Sequence, residues 1–178
     1  MSVHEILIAV MAAFSVVGRL VFAPIPAFKP VTAITIISGV ALGPEAGFIV
    51  GSMTAVVSNM FYGQGPWTPF QMFVWGFIGF LAGVIFRKSK KPNRIVLSIV
   101  GAFGGVLFSL LMDIWTTLSL DGEFLLSRYL VNVASSLSFM AIYAVSNIVF
   151  LIILAHPFLE KLNRIKTKHG IFGLLSNE

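Results

Sequence analysis

The sequence predicts an all-α membrane protein in which six transmembrane helices form one compact bundle. Of its 178 residues, 57% are hydrophobic and 11% are charged, whereas a soluble domain usually carries about 25% charged residues. Several apolar runs approach the roughly 20 residues that a helix needs to cross a bilayer. Only short breaks separate these runs, so we expect residues 1–178 to form a single membrane domain.

Each predicted helix is an apolar run bounded by helix-breaking residues. The first run carries Glu5 where a secretory signal would be positively charged, so we interpret it as a membrane helix. Gly43 can end a helix and Pro44 can begin the next one, which predicts a tight hairpin between the second and third helices. The six helices are predicted near residues 4–22, 31–43, 45–62, 69–87, 95–118 and 128–155.

One alternative treats residues 31–62 as a single bent span, which would give five helices and place the termini on opposite sides of the membrane. The basic residues argue against it, because nine of the twelve lie in segments 87–94 and 160–170. With six helices these segments share one side, and the positive-inside rule places that side and both termini in the cytoplasm. Since topology accounts for the positive charge, we expect no nucleic-acid partner.

Three loops then face outward, at residues 22–30, 61–70 and 119–128. The first two combine prolines with aromatic residues, a composition that holds a shape better than a flexible Gly/Ser linker. Trp67 lies between Pro66 and Pro69, a setting too rigid for a simple interfacial anchor. We therefore interpret Trp67 as the wall or lid of a ligand site.

Small residues recur at four-residue spacing, which allows helix backbones to approach closely in a membrane. The glycine pairs are interpreted as packing within the chain. Ala9, Ala12 and Ala13 lie near the predicted cytoplasmic end of the first helix and would offer a flat face to a partner protein. The pairs are Ala9 with Ala13, Gly39 with Gly43, Gly47 with Gly51, Gly79 with Gly83, and Gly101 with Gly105.

Charged and polar residues inside apolar spans are the candidate ligand-binding groups, because burying them in a bilayer is costly. Those identified here lie in the predicted outer third of the membrane. Two alternatives remain open: Arg19 and Arg128 would also suit snorkelling to the interface, with Asp113 paired to one of them, and the tryptophans would suit an interfacial belt. The candidate substrate-binding residues are Arg19, Phe22, Asn59, Tyr62, Gln64, Trp67, Gln71, Trp75, Asp113, Trp115, Thr116, Arg128 and Asn132.

Signatures of enzymes and nucleotide-binding proteins are missing from the sequence. It has no HExxH, GxSxG or phosphate-binding glycine loop, and its three histidines, His4, His156 and His169, lie near predicted cytoplasmic ends. Cysteine is absent. We therefore expect no catalytic residues, no cofactor and no metal, and any ATP-driven transport would need a partner.

The stretch GPWTPFQMFVWGFIGFLAG at residues 65–83 and the stretch AVMAA at 9–13 resemble a known family. They are similar to the substrate-binding S components of energy-coupling factor (ECF) transporters. The resemblance implies a prokaryotic plasma-membrane protein that captures a vitamin outside the cell. It also implies that Ala9 and Ala13 contact a membrane coupling subunit with two cytoplasmic ATPases, on which the S component topples.

Within that family the chain resembles the branch proposed to carry cobalamin, so cobalamin is the leading substrate hypothesis. The alternatives are an S component for riboflavin, pantothenate or thiamin, or a membrane assembly subunit that carries no substrate. A stand-alone facilitator or channel is a further rival. An intramembrane enzyme is disfavoured because the sequence offers no recognisable catalytic pair.

Overall fold

The computed structural model describes residues 2–89 and 92–170, which fold into six α-helices without a β-strand in those two ranges. The predicted number and order of helices are confirmed. Lys90 and Lys91, which belong to the predicted basic loop, lie outside the described residues. The helices are α1 (Val3–Val21), α2 (Val31–Leu42), α3 (Pro44–Tyr62), α4 (Thr68–Ile85), α5 (Arg94–Leu118) and α6 (Leu126–Lys168).

Local sequence signals explain where several helices begin. At the start of α1, the Ser2 hydroxyl accepts a hydrogen bond from the Glu5 backbone N–H, and the Glu5 carboxylate accepts one from the Ser2 backbone N–H. This reciprocal pair satisfies two N–H groups that would otherwise lack partners. Pro44 occupies the first turn of α3, and the Asn93 side chain caps α5 by accepting from the Ile95 N–H.

The helices alternate in direction, so the described part of the bundle has two distinct ends. We call the end that carries loops 22–30, 63–67 and 119–125 the loop end. The opposite end carries the first residues of α1, the α2–α3 turn and the last residues of α6, and we call it the basic end. His4 and Lys166 both lie there, and their side chains bond to the Leu42 and Ala41 carbonyls at distances of 3.1 and 2.6 Å.

Helix α2 lies in the centre of the bundle, and 11 of its 12 residues are buried. At 1.5 Å per residue it is about 18 Å long, shorter than the roughly 30 Å of a bilayer core. Four of the described helices are long and apolar enough to cross a membrane: α1, α4, α5 and α6. Because its neighbours enclose α2, its short length does not expose unpaired backbone groups to lipid.

The predicted hairpin between α2 and α3 is confirmed, and the single bent span over 31–62 is wrong. Gly43 ends α2 with a positive φ of 106° and precedes α3 directly. The two helices and α4 then pack backbone against backbone at glycines. A Cβ atom built at Gly79 would lie 2.5 Å from the Gly47 carbonyl oxygen, and one built at Gly39 would approach Gly79 more closely still. The paired glycines therefore serve packing within the chain, as the sequence predicts, except Gly43, where an added Cβ would have no neighbour within 4 Å.

Helix α6 differs from its prediction, because it continues to Lys168 instead of ending near residue 155. Pro157 lies inside the helix, where it removes one backbone donor but does not end the helix. The residues beyond it pack on the bundle: Phe158 contacts Phe14 with ring centroids 5.1 Å apart, and Leu162 is buried. The extension is amphipathic: most of its charged residues are exposed, whereas Lys166 is half-buried and bonds to the Ala41 carbonyl.

Candidate functional site

A small internal cavity of about 30 Å³ lies near the loop end of the bundle. Residues from α1, α2, α4, α5 and α6 and from the α1–α2 loop converge on it. The described residues that line it include two cations, and none of them is acidic. They are Arg19, Lys29, Val31, Thr32, Gln71, Trp75, Phe108 and Tyr143.

Arg19 is the most constrained polar group at this cavity, with only 7% of its surface exposed. Its Nη1 donates to the Ser58 hydroxyl and to Asn59 Oδ1, the latter at 2.9 Å. The guanidinium carbon lies 4.8 Å from the Tyr62 ring centroid and 4.9 Å from that of Trp75, within cation–π range. Its Nε is buried without a hydrogen-bond partner among the described residues, so one donor remains available.

Asn59 connects Arg19 to the start of α4. Its Nδ2 donates to Gln71 Oε1 at 2.8 Å and to the Thr68 hydroxyl at 2.9 Å. Thr68 in turn donates to Gln64 Oε1 at 2.9 Å. This network fixes the Gln71 amide, because its oxygen is held by Asn59 while the side chain lines the cavity.

Three aromatic rings, those of Trp75, Phe108 and Tyr143, also line the cavity. Trp75 stacks on Phe108 with centroids 4.9 Å apart and an interplanar angle of 13°. Phe108 meets the Tyr143 ring edge-on at 5.2 Å. Flat aromatic walls beside a few fixed donors are typical of small-molecule sites.

The α1–α2 loop lies beside the cavity and contributes Lys29. The Ser146 hydroxyl in α6 accepts from the Lys29 backbone N–H at 3.0 Å and donates to its carbonyl oxygen at 3.1 Å. In the same loop, Phe22 and Phe28 both pack on Phe150 of α6. Burial lowers the pKa of Lys29, and the positive charge of Arg19 lowers it further. These contacts hold the loop against the bundle.

Several residues predicted for the site lie elsewhere, in a polar network between α5 and α6. Asp113 Oδ2 accepts from the Ser136 hydroxyl at 2.6 Å, and Asn132 donates to the Thr117 hydroxyl at 3.0 Å. Arg128 makes a bidentate pair with Asp121, at 2.8 and 2.9 Å. The bond from Arg128 and the Glu123 backbone N–H lower the pKa of Asp121 to about 2. The alternative in which Asp113 pairs with an arginine is not seen among the described residues, where the Ser136 hydroxyl contacts its carboxylate.

Four aromatic or polar candidates also do not line the cavity. Trp67 is 37% exposed and lies against Gly65, while Trp115 packs on Phe70 with ring centroids 4.9 Å apart. Thr116 is exposed and bonds its own helix at Met112. Phe22 belongs to the loop cluster described above. The structure thus groups Arg19, Asn59, Tyr62, Gln64, Gln71 and Trp75 at or next to the cavity and leaves the other candidates apart.

Sequence reasoning missed five residues that line the cavity. Two of them carried a usable signal: Lys29 is the single lysine of the 22–30 loop, and Tyr143 is a polar aromatic residue within the apolar part of α6. The other three are ordinary apolar or hydroxyl residues in apolar helices, and no pattern distinguishes them from core residues. These three are Val31, Thr32 and Phe108.

A comparison with protein families settles which family the chain represents. Residues 1–164 match the family described as ECF-type riboflavin transporter, S component. The chain belongs to this family. It is therefore a multi-pass membrane protein and a substrate-binding transport subunit, not an enzyme. Comparison with curated proteins and with solved structures gives no significant match.

The predicted resemblance to an ECF S component is confirmed by this match. The substrate hypothesis changes, because the matching family is described by riboflavin and not by cobalamin. Riboflavin, one of the alternatives from the sequence, is the better supported vitamin.

Two of the three alanines predicted to meet a coupling subunit face out of the bundle. Ala9 and Ala13 are exposed on α1. Ala12 is buried, with 9% of its surface exposed, and belongs to the core. It therefore lies off the exposed face that the other two share.

Proposed function

We propose that this S component binds riboflavin at the loop-end cavity and delivers it to an ECF transporter. The observation that carries the proposal is the convergence of Arg19, Lys29 and Gln71 with three aromatic rings on one cavity. The matching family supports the same vitamin.

The chemistry of the lining suits a flavin. The isoalloxazine ring is flat and aromatic, so it can stack on the walls that Trp75, Phe108 and Tyr143 provide. Its two carbonyl oxygens and two of its ring nitrogens are hydrogen-bond acceptors, which match the free Nε of Arg19 and the ammonium of Lys29. Two cations with no acid beside them also favour an electron-rich ligand over a cationic vitamin such as thiamin.

The cavity must enlarge to admit a vitamin, because sites for such molecules measure about 300–1,000 Å³, against the 30 Å³ found here. We infer that the α1–α2 loop moves away from α6 to make this space. Such movement breaks both hydrogen bonds between Lys29 and Ser146. It also carries the Lys29 ammonium away from the Tyr62 ring, whose centroid lies 5.4 Å from it. The loop would thus act as the cover of the site.

The proposed setting is the plasma membrane of a prokaryote, with all six helices in the bilayer, both termini in the cytoplasm and the loop end outside. The positive-inside rule supports this orientation, because Arg87, Lys88 and the last residues of α6 share the basic end. Energy would come from a membrane coupling subunit and two cytoplasmic ATPases.

The decisive experiment is a titration of the purified full chain with riboflavin, followed by the fluorescence of the vitamin. Stacking on tryptophan or tyrosine quenches flavin fluorescence, so we expect saturable quenching at one riboflavin per chain. Cobalamin and thiamin, tested by calorimetry, are expected not to bind. Saturable binding of cobalamin without riboflavin binding would overturn the substrate assignment.

Docking on the coupling subunit is proposed to use the exposed face of α1 around Ala9 and Ala13. Replacing both with tryptophan should abolish riboflavin uptake in cells while leaving riboflavin affinity unchanged. The reason is geometric, since two large side chains would prevent close approach of a partner helix. Uptake of labelled riboflavin and binding to the purified variant are the two measurements.

Ala141→Trp is the matched control, because Ala141 is an exposed alanine on a different helix, α6. It should transport normally. The docking role of Ala9 and Ala13 would be contradicted if the α1 variant lost both riboflavin uptake and riboflavin binding. It would also be contradicted if the control lost as much uptake as the α1 variant.

A further inference from the structure

A second cavity, of about 470 Å³, lies between the start of α5 and the extension of α6. It shares no lining residue with the loop-end cavity, and its volume falls in the range of about 300–1,000 Å³ that small-molecule sites occupy. The described residues that line it are Pro92, Arg94, Leu97, Ala155, His156, Leu159, Glu160 and Asn163.

The lining of this cavity is divided between apolar and polar residues. Leu97, Ala155 and Leu159 form an apolar wall. Among the polar residues, His156 Nδ1 and Glu160 Oε1 are 3.1 Å apart and engage each other. Arg94 is exposed and makes no salt bridge with any described residue. Its guanidinium is therefore the available charge at the cavity.

The cavity lies at the depth where the apolar parts of α5 and α6 end and charged residues begin. Directly after Arg94, α5 continues as IVLSIVGAF, and the apolar run of α6 ends at Ala155, just before His156. In a membrane protein this transition marks the level of the lipid headgroups. The cavity joins an apolar wall to the Arg94 guanidinium, which pairs with no described acidic residue, while the Glu160 carboxylate is engaged by His156. A molecule with one apolar part and one anionic part matches this division.

The surrounding surface at the basic end is positively charged. Arg87, Lys88, Lys161 and Arg164 are exposed near the same end of the bundle. Basic residues near a membrane surface attract anionic lipids by about 1 kcal/mol each, and basic pockets between helices bind their headgroups. The local field therefore favours an anionic occupant over a neutral one.

We propose that this cavity binds the headgroup of an anionic phospholipid. The Arg94 guanidinium binds the phosphate, for which its forked donors are well suited. The Asn163 amide donates a further hydrogen bond, and Leu97, Ala155 and Leu159 contact the glycerol and the first methylene groups. A lipid is favoured over free phosphate, because an ion alone would leave the apolar wall without a partner.

Native mass spectrometry of the full chain can test this site. The protein is purified in detergent with equal amounts of phosphatidylglycerol and phosphatidylcholine, and the retained lipids are counted. We expect the wild-type protein to retain phosphatidylglycerol preferentially. Arg94→Gln should reduce this preference about fivefold, which corresponds to roughly 1 kcal/mol for one basic residue.

Arg164→Gln is the matched control, because Arg164 is an exposed arginine next to Asn163 that does not line the cavity. Because detergent offers no extended anionic surface for Arg164 to attract, its replacement should reduce the preference for phosphatidylglycerol less than Arg94→Gln does. As a second variant, Asn163→Leu should weaken phosphatidylglycerol retention without changing net charge. Equal losses in the Arg94 and Arg164 variants would overturn the site, since they would indicate general charge attraction.

A final experiment distinguishes binding of a lipid headgroup from binding of free inorganic phosphate. Millimolar inorganic phosphate is added before measurement, and it should leave phosphatidylglycerol bound, because it offers nothing to the apolar wall. Displacement of the lipid by inorganic phosphate would overturn the lipid assignment. All variants are first checked for an unchanged unfolding temperature, so that loss of lipid is not confused with loss of fold.

Discussion

Replacing Arg19 with methionine should weaken riboflavin binding by about 10- to 150-fold, as the loss of a hydrogen bond to a charged group costs roughly 1.5–3 kcal/mol. Arg19 is buried between Tyr62 and Trp75 and holds Asn59. Its free Nε is the donor that the proposed flavin would engage. The dissociation constant from fluorescence quenching, together with the unfolding temperature of the variant, measures the effect.

Arg128→Met is the matched control for this prediction. Arg128 was an equal candidate from the sequence, but it pairs with Asp121 away from the cavity, so its replacement should leave affinity within about twofold, the effect of a weak exposed pair. Lys29→Met serves as a second cavity variant if the Arg19 variant is unstable. Unchanged affinity in both cavity variants would place the vitamin elsewhere.

A methyl group at Gly79 should destabilise the bundle by about 1–3 kcal/mol, the usual cost of overpacking. The added Cβ would lie 2.5 Å from the Gly47 carbonyl oxygen and 2.6 Å from Thr35 Cγ2, so α3 and α4 would have to separate. In a membrane, close backbone packing supplies much of the attraction between helices. Thermal unfolding of Gly79→Ala, followed by tryptophan fluorescence, measures the loss.

Gly104→Ala provides the comparison, since the nearest atoms to its added Cβ are side-chain methyl groups of Ile78 and Thr32 at 3.3 and 3.4 Å. These groups can yield by a few tenths of an ångström, so we expect a much smaller change in unfolding temperature. A Gly79 variant as stable as the Gly104 variant would show that the α3–α4 contact is looser than described.

The helices could be predicted from sequence because each is an apolar run with a chemical boundary. Gly43 followed by Pro44 locates the α2–α3 turn to the residue. The extension of α6 could not be predicted in this way, because residues 156–168 contain a proline and several charges. What keeps that segment helical is tertiary contact, between Phe158 and Phe14 and between Lys166 and Ala41.

The sequence predicts the level of the polar residues along the helices, but it does not predict which of them meet. Arg19, Asp113, Arg128 and Asn132 lie at similar levels in the predicted membrane, which hydropathy can indicate. Whether two side chains meet depends on the rotation of each helix about its own axis, and a single sequence of mostly apolar helices fixes that rotation weakly. Arg19 consequently faces the cavity, whereas Asp113 faces Ser136.

The two hydrogen bonds between the Lys29 backbone and the Ser146 hydroxyl affect the vitamin affinity that would be measured. If each of the two hydrogen bonds favours the closed loop by about 1 kcal/mol, the open conformation is populated at only about 3–4%. The observed dissociation constant of an incoming vitamin is then about 30-fold weaker than the intrinsic constant of the open site. The Ser146 hydroxyl on α6, together with the packing of Phe22 and Phe28 on Phe150, would thus help to set how much of the protein is ready to accept its cargo.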